Sequence, residues 1–305
     1  MASSGERVPD HPDERHPDEY RATVVIPTRD RPAALATGLA AVARQTIAAA
    51  LDIVVVDDGS QDEEGIAEIV RSQPRVRLVR IAASGPSAAR NAGAEAARSE
   101  HLLFTDDDCR PAPDWAERLT GALDAGADVV AGTTVNGAPK NRVAEASQLI
   151  ANSLVVPLEP GSQLVSFAPS NNLGCRAAVL RAVAFDTTFD RAGGEDRDWC
   201  ARLGAAGFGI RHERKALVRH VQSLGVASFW RQQVRYGRGA YRFRRLGGLG
   251  APLERPGFYV ELLRAGARAG VRVGLLVALA QLATAVGFVL EADVVKGRAE
   301  APPQD

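Results

Sequence analysis

From Ala22 onward the chain alternates short runs of Val, Ile and Leu with longer stretches whose apolar residues recur at helical spacing. The runs are TVVIP, DIVVVDD, VRLVRI and LLFTDDD, with helices expected from about Pro32, through Ile69 and from about Pro86. A strand buried on both faces reads as a continuous apolar run, and a helix between two such strands returns the chain for parallel pairing. The pattern predicts an α/β fold: a Rossmann-like, mostly parallel sheet flanked by helices. Ligands of such sheets bind at the carboxyl ends of the strands. That rule gathers Thr28 to Asp30, Asp57 to Ser60 and Asp106 to Asp108 around one crevice. Beyond about Ala131 the alternation weakens, and an irregular region is expected as far as Asp190, followed by a helix near Glu195.

The ends of the chain have a different character. Residues 1–20 contain HPDE twice, at His11 to Glu14 and His16 to Glu19, without any apolar period, and are expected to form a flexible acidic tail. The segment Val271 to Leu290 is nearly continuous in apolar residues and matches the ~20 residues of a minimal membrane span. It reads either as a span or as a buried or membrane-surface helix. Between these limits the sequence divides into a catalytic α/β domain over 21–224 and a basic helical extension over 225–305, with 271–290 as its membrane-associated candidate.

Formal net charge is +0, which removes any global electrostatic case for a nucleic-acid partner. The balance hides an acidic start and a basic stretch from Arg211 to Arg245, in which Arg231, Arg235, Arg238, Arg242, Arg244 and Arg245 suit an anionic membrane surface. Cys109, Cys175 and Cys200 are widely spaced and form no CxxC, so neither a disulfide framework nor a zinc site is expected. No cleavable signal is read at the acidic N-terminus. The expected location is the cytoplasm, at the inner face of the cell membrane.

Carboxylates cluster where strands are expected to end. Asp106 and Asp108 of FTDDDC would share a face if the strand continued through them, which suits a hard divalent cation. Asp57 in VVVDDGS can accept a hydrogen bond from a base N–H, whereas Asp58 caps the turn or the helix. In GGEDRDW, Glu195 and Asp196 open a helix; they serve either as a general base beside a reaction centre or as electrostatic caps. His220 is either a structural histidine or a metal ligand.

VVIPTRDRP, VVVDDGSQD, GPSAARNAG, FTDDDCRP and GGEDRDW stand in the order and approximate spacing seen in family-2 inverting glycosyltransferases of the GT-A fold, and the chain resembles them from about Arg21 to His220. The resemblance implies that Pro27, Thr28 and Arg29 line the base pocket and that Asp57 contacts the base. Arg90 would help to hold the nucleotide, with Asn91 and Gly93 shaping the turn. Asp106 would lie on the ribose side, with Asp107 beside it among the donor-binding acids. Asp108 would ligate the metal, Mn²⁺ or Mg²⁺, joined by His220 as in some members. Asp196 would be the catalytic base and Glu195 its neighbour. QQVRY resembles the QxxRW motif of processive members, with Tyr236 where tryptophan is expected; Gln232, Arg235 and Tyr236 would share a helix face for an acceptor or a phosphate, or lie on an anionic membrane.

The expected activity is transfer of a sugar from a nucleotide-diphosphate donor, UDP-sugar by default, to an acceptor hydroxyl with inversion. A lipid-linked or amphiphilic acceptor follows from the basic and apolar extension. FAPSNNLGC, Phe167 to Cys175, is a candidate lining of the acceptor pocket. Two alternatives stand beside this: a sugar-phosphate nucleotidyltransferase, against which PTRDRP lacks the expected glycine- and arginine-rich loop, and a membrane-associated nucleotide-sugar-binding protein without transferase activity.

Overall fold

The computed structural model describes residues 20–246 and 254–300, so the HPDE tail lies outside the described residues. The four apolar runs are β1 (Ala22–Thr28), β2 (Leu51–Asp58), β3 (Val76–Ile81) and β4 (His101–Thr105), linked by α1 (Pro32–Val42), α2 (Glu63–Arg71) and α3 (Pro86–Glu95). Proline in the first turn starts α1 and α3, where its missing N–H costs nothing, and the Asp62 side chain accepts from Gly65 N to cap α2.

The stretch expected to be irregular holds regular elements instead. After β5 (Cys109–Pro111) and α4 (Trp115–Asp124) come β6 (Val129–Asn136), α5 (Arg142–Asn152), β7 (Asn172–Arg176) and α6 (Ala177–Ala182). Then follow α7 (Glu195–Ala205), β8 (Ile210–His220), α8 (Val226–Leu246), α9 (Pro256–Arg268) and α10 (Val271–Glu300). One sheet runs β3-β2-β1-β4-β7-β6-β8-β5. The pairings β1/β2, β1/β4, β2/β3 and β6/β8 are parallel, whereas β4/β7, β6/β7 and β5/β8 are antiparallel. β7 is reversed between β4 and β6, a placement that no local periodicity encodes.

Alternating residues of each strand feed two cores, one per face of the sheet. Val24 and Ile26 meet Leu35 and Leu39 of α1, Ile66 of α2, and Trp115 and Leu119 of α4. Val25, Val54 and Phe104 meet Ala89 of α3, Val179 and Leu180 of α6, and Trp199 and Leu203 of α7. Full burial of each such large side chain contributes about 1.5–3 kcal/mol.

A third core joins the extension to the α/β body. Ala146 of α5 packs with Phe229 of α8, Leu262 of α9, and Val273, Val277 and Ala280 of α10. Backbone meets backbone between α8 and α10: a Cβ on Gly287 would collide with the Val234 carbonyl, and one on Gly237 with that of Thr284. Glu291, buried on α10, accepts from Arg242 Nε at 2.7 Å and lies 3.7 Å from Arg238. Two arginines of the basic stretch are thus engaged inside the fold. Gly287→Val is expected to lower the thermal midpoint by the equivalent of about 2 kcal/mol, the scale of forced overpacking. An unchanged melting curve would show that α10 does not depend on this contact.

Candidate active site

The β5/β8 ladder builds the first corner of the site. Its register sets Cys109 opposite His220, and Val221 N donates to the Asp108 carbonyl. His220 Nε2 consequently lies 3.2 Å from Asp108 Oδ1. The other ring nitrogen, Nδ1, stands 3.2 Å from Gln148 Oε1 on α5, a contact that fixes the ring orientation. Burial raises the Asp108 carboxyl, but the hydrogen bond and charge of His220, with the Arg31 guanidinium, outweigh it and hold it well below the ordinary carboxylate range. Burial pulls the His220 imidazole down, and Asp108 more than reverses it. Asp108, Cys109 and His220 present an oxygen, a sulfur and a nitrogen within 4.8 Å of one another. Burial pushes the Cys109 thiol far up, which makes it a poor ligand. A carboxylate and an imidazole this close together would fit a divalent metal ion.

The three aspartates do not continue the strand. Cys109 N donates to the Asp106 carbonyl across a tight turn, so the shared face expected for Asp106 and Asp108 is lost: Asp106 turns to Arg90, while Asp107 and Asp108 both face Arg31. A turn here lets β5 leave the sheet's centre and pair with β8 at its edge. Asp106 receives Arg90 at 3.2 Å, Asp107 receives Thr28 Oγ1 at 2.9 Å and Arg31 at 2.9 Å, and Asp108 faces His220 and Arg31. Burial lifts the Asp107 carboxyl to about 7 against the opposing charge of Arg31.

The second corner lies at the ends of β1 and β2. Asp57 is buried; its Oδ1 accepts from Ser60 N at 3.0 Å, while Oδ2 has no hydrogen-bond donor and stands 3.6 Å from Arg80 Nε. A buried carboxylate oxygen without a donor is costly, and an N–H donor from outside the chain would supply what it lacks. Asp58 accepts from Ser84 N and Gly85 N and so holds the loop that starts α3. Arg29, half exposed, approaches Asp58 at 3.9 Å, and Pro27 lies on β1 beside them.

The third corner is the start of α7. Gly193 and Gly194 have φ of 132° and 100°, a region that disfavours any side chain, and they deliver Glu195 and Asp196 into the crevice. Glu195 is bound internally: it accepts from Gly193 N at 2.5 Å and lies 3.7 Å from Arg90. Asp196 is less enclosed; Oδ2 accepts from Ser170 N at 3.2 Å and Oδ1 has no partner. Burial raises both carboxyls; Asp196 pushes Glu195 further up, and the charge of Arg90 opposes the rise in each. Arg90 itself is buried, 5.8 Å over the Phe185 ring, and ties Asp106 to Glu195.

Of the QQVRY residues, Gln232 turns into the α5 contact, where Ser147 Oγ donates to its Oε1 at 3.1 Å. Arg235 and Tyr236 stay exposed beside the Gly193 turn. In FAPSNNLGC, Ser170 meets Asp196, and buried Asn172 joins Trp115 Nε1 to the Ala216 carbonyl. Asn91 bonds the Phe185 backbone rather than any site acid, and Gly93 lets α3 press against Val25 and Val56. Sequence reasoning missed Arg31, Gln148 and the Ser170 amide. Arg31 was visible only as part of PTRDRP and Ser170 only as part of FAPSNNLGC, and nothing local marked Gln148. A surface hollow of about 910 Å³ lies at the opposite end of the strands near Arg98, His101 and Leu180 and contains none of these acids.

The architecture is shared with solved glycosyltransferases. The mannosyltransferase PcManGT from Pyrobaculum calidifontis, solved with GDP-Man and Mn²⁺, matches with a TM-score of 0.58 at 18% identity over 93% of this chain and 81% of its own. Residues 1–349 of S. aureus TarS, in complex with UDP, match with a TM-score of 0.52 at 18% identity, over 90% and 91%. The fold is GT-A. The sequence also matches the family description "Glycosyl transferase family 2" over residues 23–186. The chain belongs to that family. The pre-mycofactocin glycosyltransferase of Mycobacterium tuberculosis strain H37Rv is 32% identical over 229 residues, 72% of this chain and 47% of that protein. An Escherichia coli chondroitin synthase is 26% identical over 241 residues, 67% and 35% respectively. The chain therefore spans about half, or less, of the length of these relatives.

Proposed function

We propose that this protein transfers a sugar from a nucleotide-diphosphate donor to an acceptor hydroxyl, by direct displacement with inversion and with a divalent metal. The supporting observation is that one buried arginine, Arg90, joins Asp106 of the aspartate turn to Glu195 of the third corner, while Arg31 balances Asp107 and Asp108 within that turn. The unsatisfied Asp57 oxygen receives the base, Asp106 takes the ribose side and Arg90 sets its direction. Asp108 and His220 hold the metal, which supplies charge neutralisation for the departing diphosphate. Asp196 takes the acceptor proton as the hydroxyl attacks the anomeric carbon, and Glu195 with Ser170 N orients it.

A screen of UDP-, GDP- and dTDP-sugars by thermal shift, with and without Mn²⁺, identifies the donor, because a ligand of the folded state raises the midpoint. Product analysis follows. Release of pyrophosphate in place of nucleoside diphosphate would identify a nucleotidyltransferase, and binding without transfer or hydrolysis a binding protein.

The acid–base corner also sets the pH dependence. Both carboxyls have raised pKa values, and the base must be ionised, so kcat/KM is expected to rise with pH to a plateau. Its midpoint should lie above the ordinary carboxyl value of about 4. An acid limb at about 4 would remove the Glu195–Asp196 pair from proton transfer.

The acceptor we favour is lipid-linked or amphiphilic, met at the anionic inner face of a membrane. Val271–Val295 is long and apolar enough to cross a bilayer, and only 28% of an 18-residue stretch within it is buried. Val271, Leu275, Leu282 and Val289 are exposed on α10, with Arg264, Arg268 and Arg272 exposed nearby. Because its other face is seated on α8 and α9, α10 suits a position in the interface. Flotation with anionic vesicles at low salt tests this; protein left at the bottom of the gradient argues for another cover over α10.

A further inference from the structure

We propose that Arg31 is a built-in counter-cation of the metal corner, one that a divalent ion must displace from Asp108 before it can bind. The inference rests on the metal assignment to Asp108 and His220. All four carboxylate oxygens of Asp107 and Asp108 already have partners. Asp107 Oδ2 accepts from Thr28 Oγ1 at 2.9 Å and Asp108 Oδ1 faces His220 Nε2 at 3.2 Å. The remaining two are taken by one guanidinium: Nη1 forms an ion pair with Asp107 Oδ1 at 2.9 Å, and Nη2 donates to Asp108 Oδ2 at 2.5 Å. Thr28 is buried on β1, and His220 is held from behind by Gln148, so neither can retreat. Arg31 differs, because 48% of its side chain is exposed and its backbone alone starts α1, accepting from Leu35 N. Swinging the side chain outward leaves the fold untouched.

Two effects then oppose an incoming ion: loss of a charge-assisted fork and repulsion from a cation close by. An ion arriving with the donor's phosphates has extra oxygen ligands to offset both. Free metal is held weakly, and the corner stays charge-balanced until donor and ion are both present.

Calorimetric titration of the full chain with Mn²⁺ alone, without nucleotide, reads this directly. R31Q is expected to bind Mn²⁺ about tenfold more tightly than the parent, the scale of one partly exposed charge-assisted bond. R31K keeps the charge and loses the fork, so it should fall between them; it also serves if the melting curve of R31Q shows loss of fold. Measurable Mn²⁺ binding that is unchanged or weaker in both variants would overturn the proposal and make Arg31 a support of Asp108. Absence of Mn²⁺ binding in all three proteins would overturn the metal assignment and this proposal with it.

Discussion

Asp196→Asn is expected to leave donor affinity within about twofold of the parent and to lower turnover by at least about two orders of magnitude, the usual scale of general-base catalysis. Two local facts favour Asp196 over Glu195 for this role. Glu195 is committed to Gly193 N and Arg90, whereas Asp196 Oδ1 has no partner and the residue is the less enclosed of the two. Asparagine preserves volume and can still accept from Ser170 N, so a collapse of the corner is not the expected cause. Single-turnover rates with saturating donor, beside donor binding by calorimetry, separate the two quantities. Turnover near the parent's would return Asp196 to the role of a helix cap and place the base elsewhere.

The second large effect is expected at the metal corner. Asp108→Asn removes a charged oxygen ligand from a hard cation and should lower Mn²⁺-dependent donor affinity by about a hundredfold or more, since loss of even an outer partner of a metal ligand costs 10–100-fold. Affinity measured in Mn²⁺ should then equal that in EDTA. If Mn²⁺ still strengthens donor binding by the parent's factor, the ion sits elsewhere.

The parts of this molecule that the sequence displayed are those governed by local physics. β1, β2 and β4 are buried on both faces and the edge strand β3 is half-buried, so their apolar runs stand out, and α1 and α3 announce themselves with Pro32 and Pro86. The acids at their ends, Asp57, Asp106 and Asp108, could be placed in one crevice from topology alone. Elements between Ala131 and Asp190 were not legible, because β7 owes its place to pairing with β4 and β6. The same holds for Gln148, which meets His220 across 72 residues, and for Ser170, which meets Asp196 across 26. The turn at Asp106 to Asp108 was misjudged because three successive aspartates carry no signal for where a strand stops. The basic stretch, counted as a surface charge, includes Arg238 and Arg242, which neutralise Glu291.

The seat of Gly193 and Gly194 carries a consequence for truncation of the chain. A Cβ on Gly239 would collide with the Gly193 carbonyl, and Gly194 lies against the Gly239 carbonyl, so α8 forms the wall behind the turn that presents Glu195 and Asp196. Every described strand, and the Asp108–His220 pair, precedes α8 in the chain. The strands and the Asp108–His220 contact thus need no residue of α8, whereas the Gly193–Gly194 turn does. A chain cut short before residue 239 is therefore expected to hold Glu195 and Asp196 loosely, because the turn that presents them has lost its backing wall.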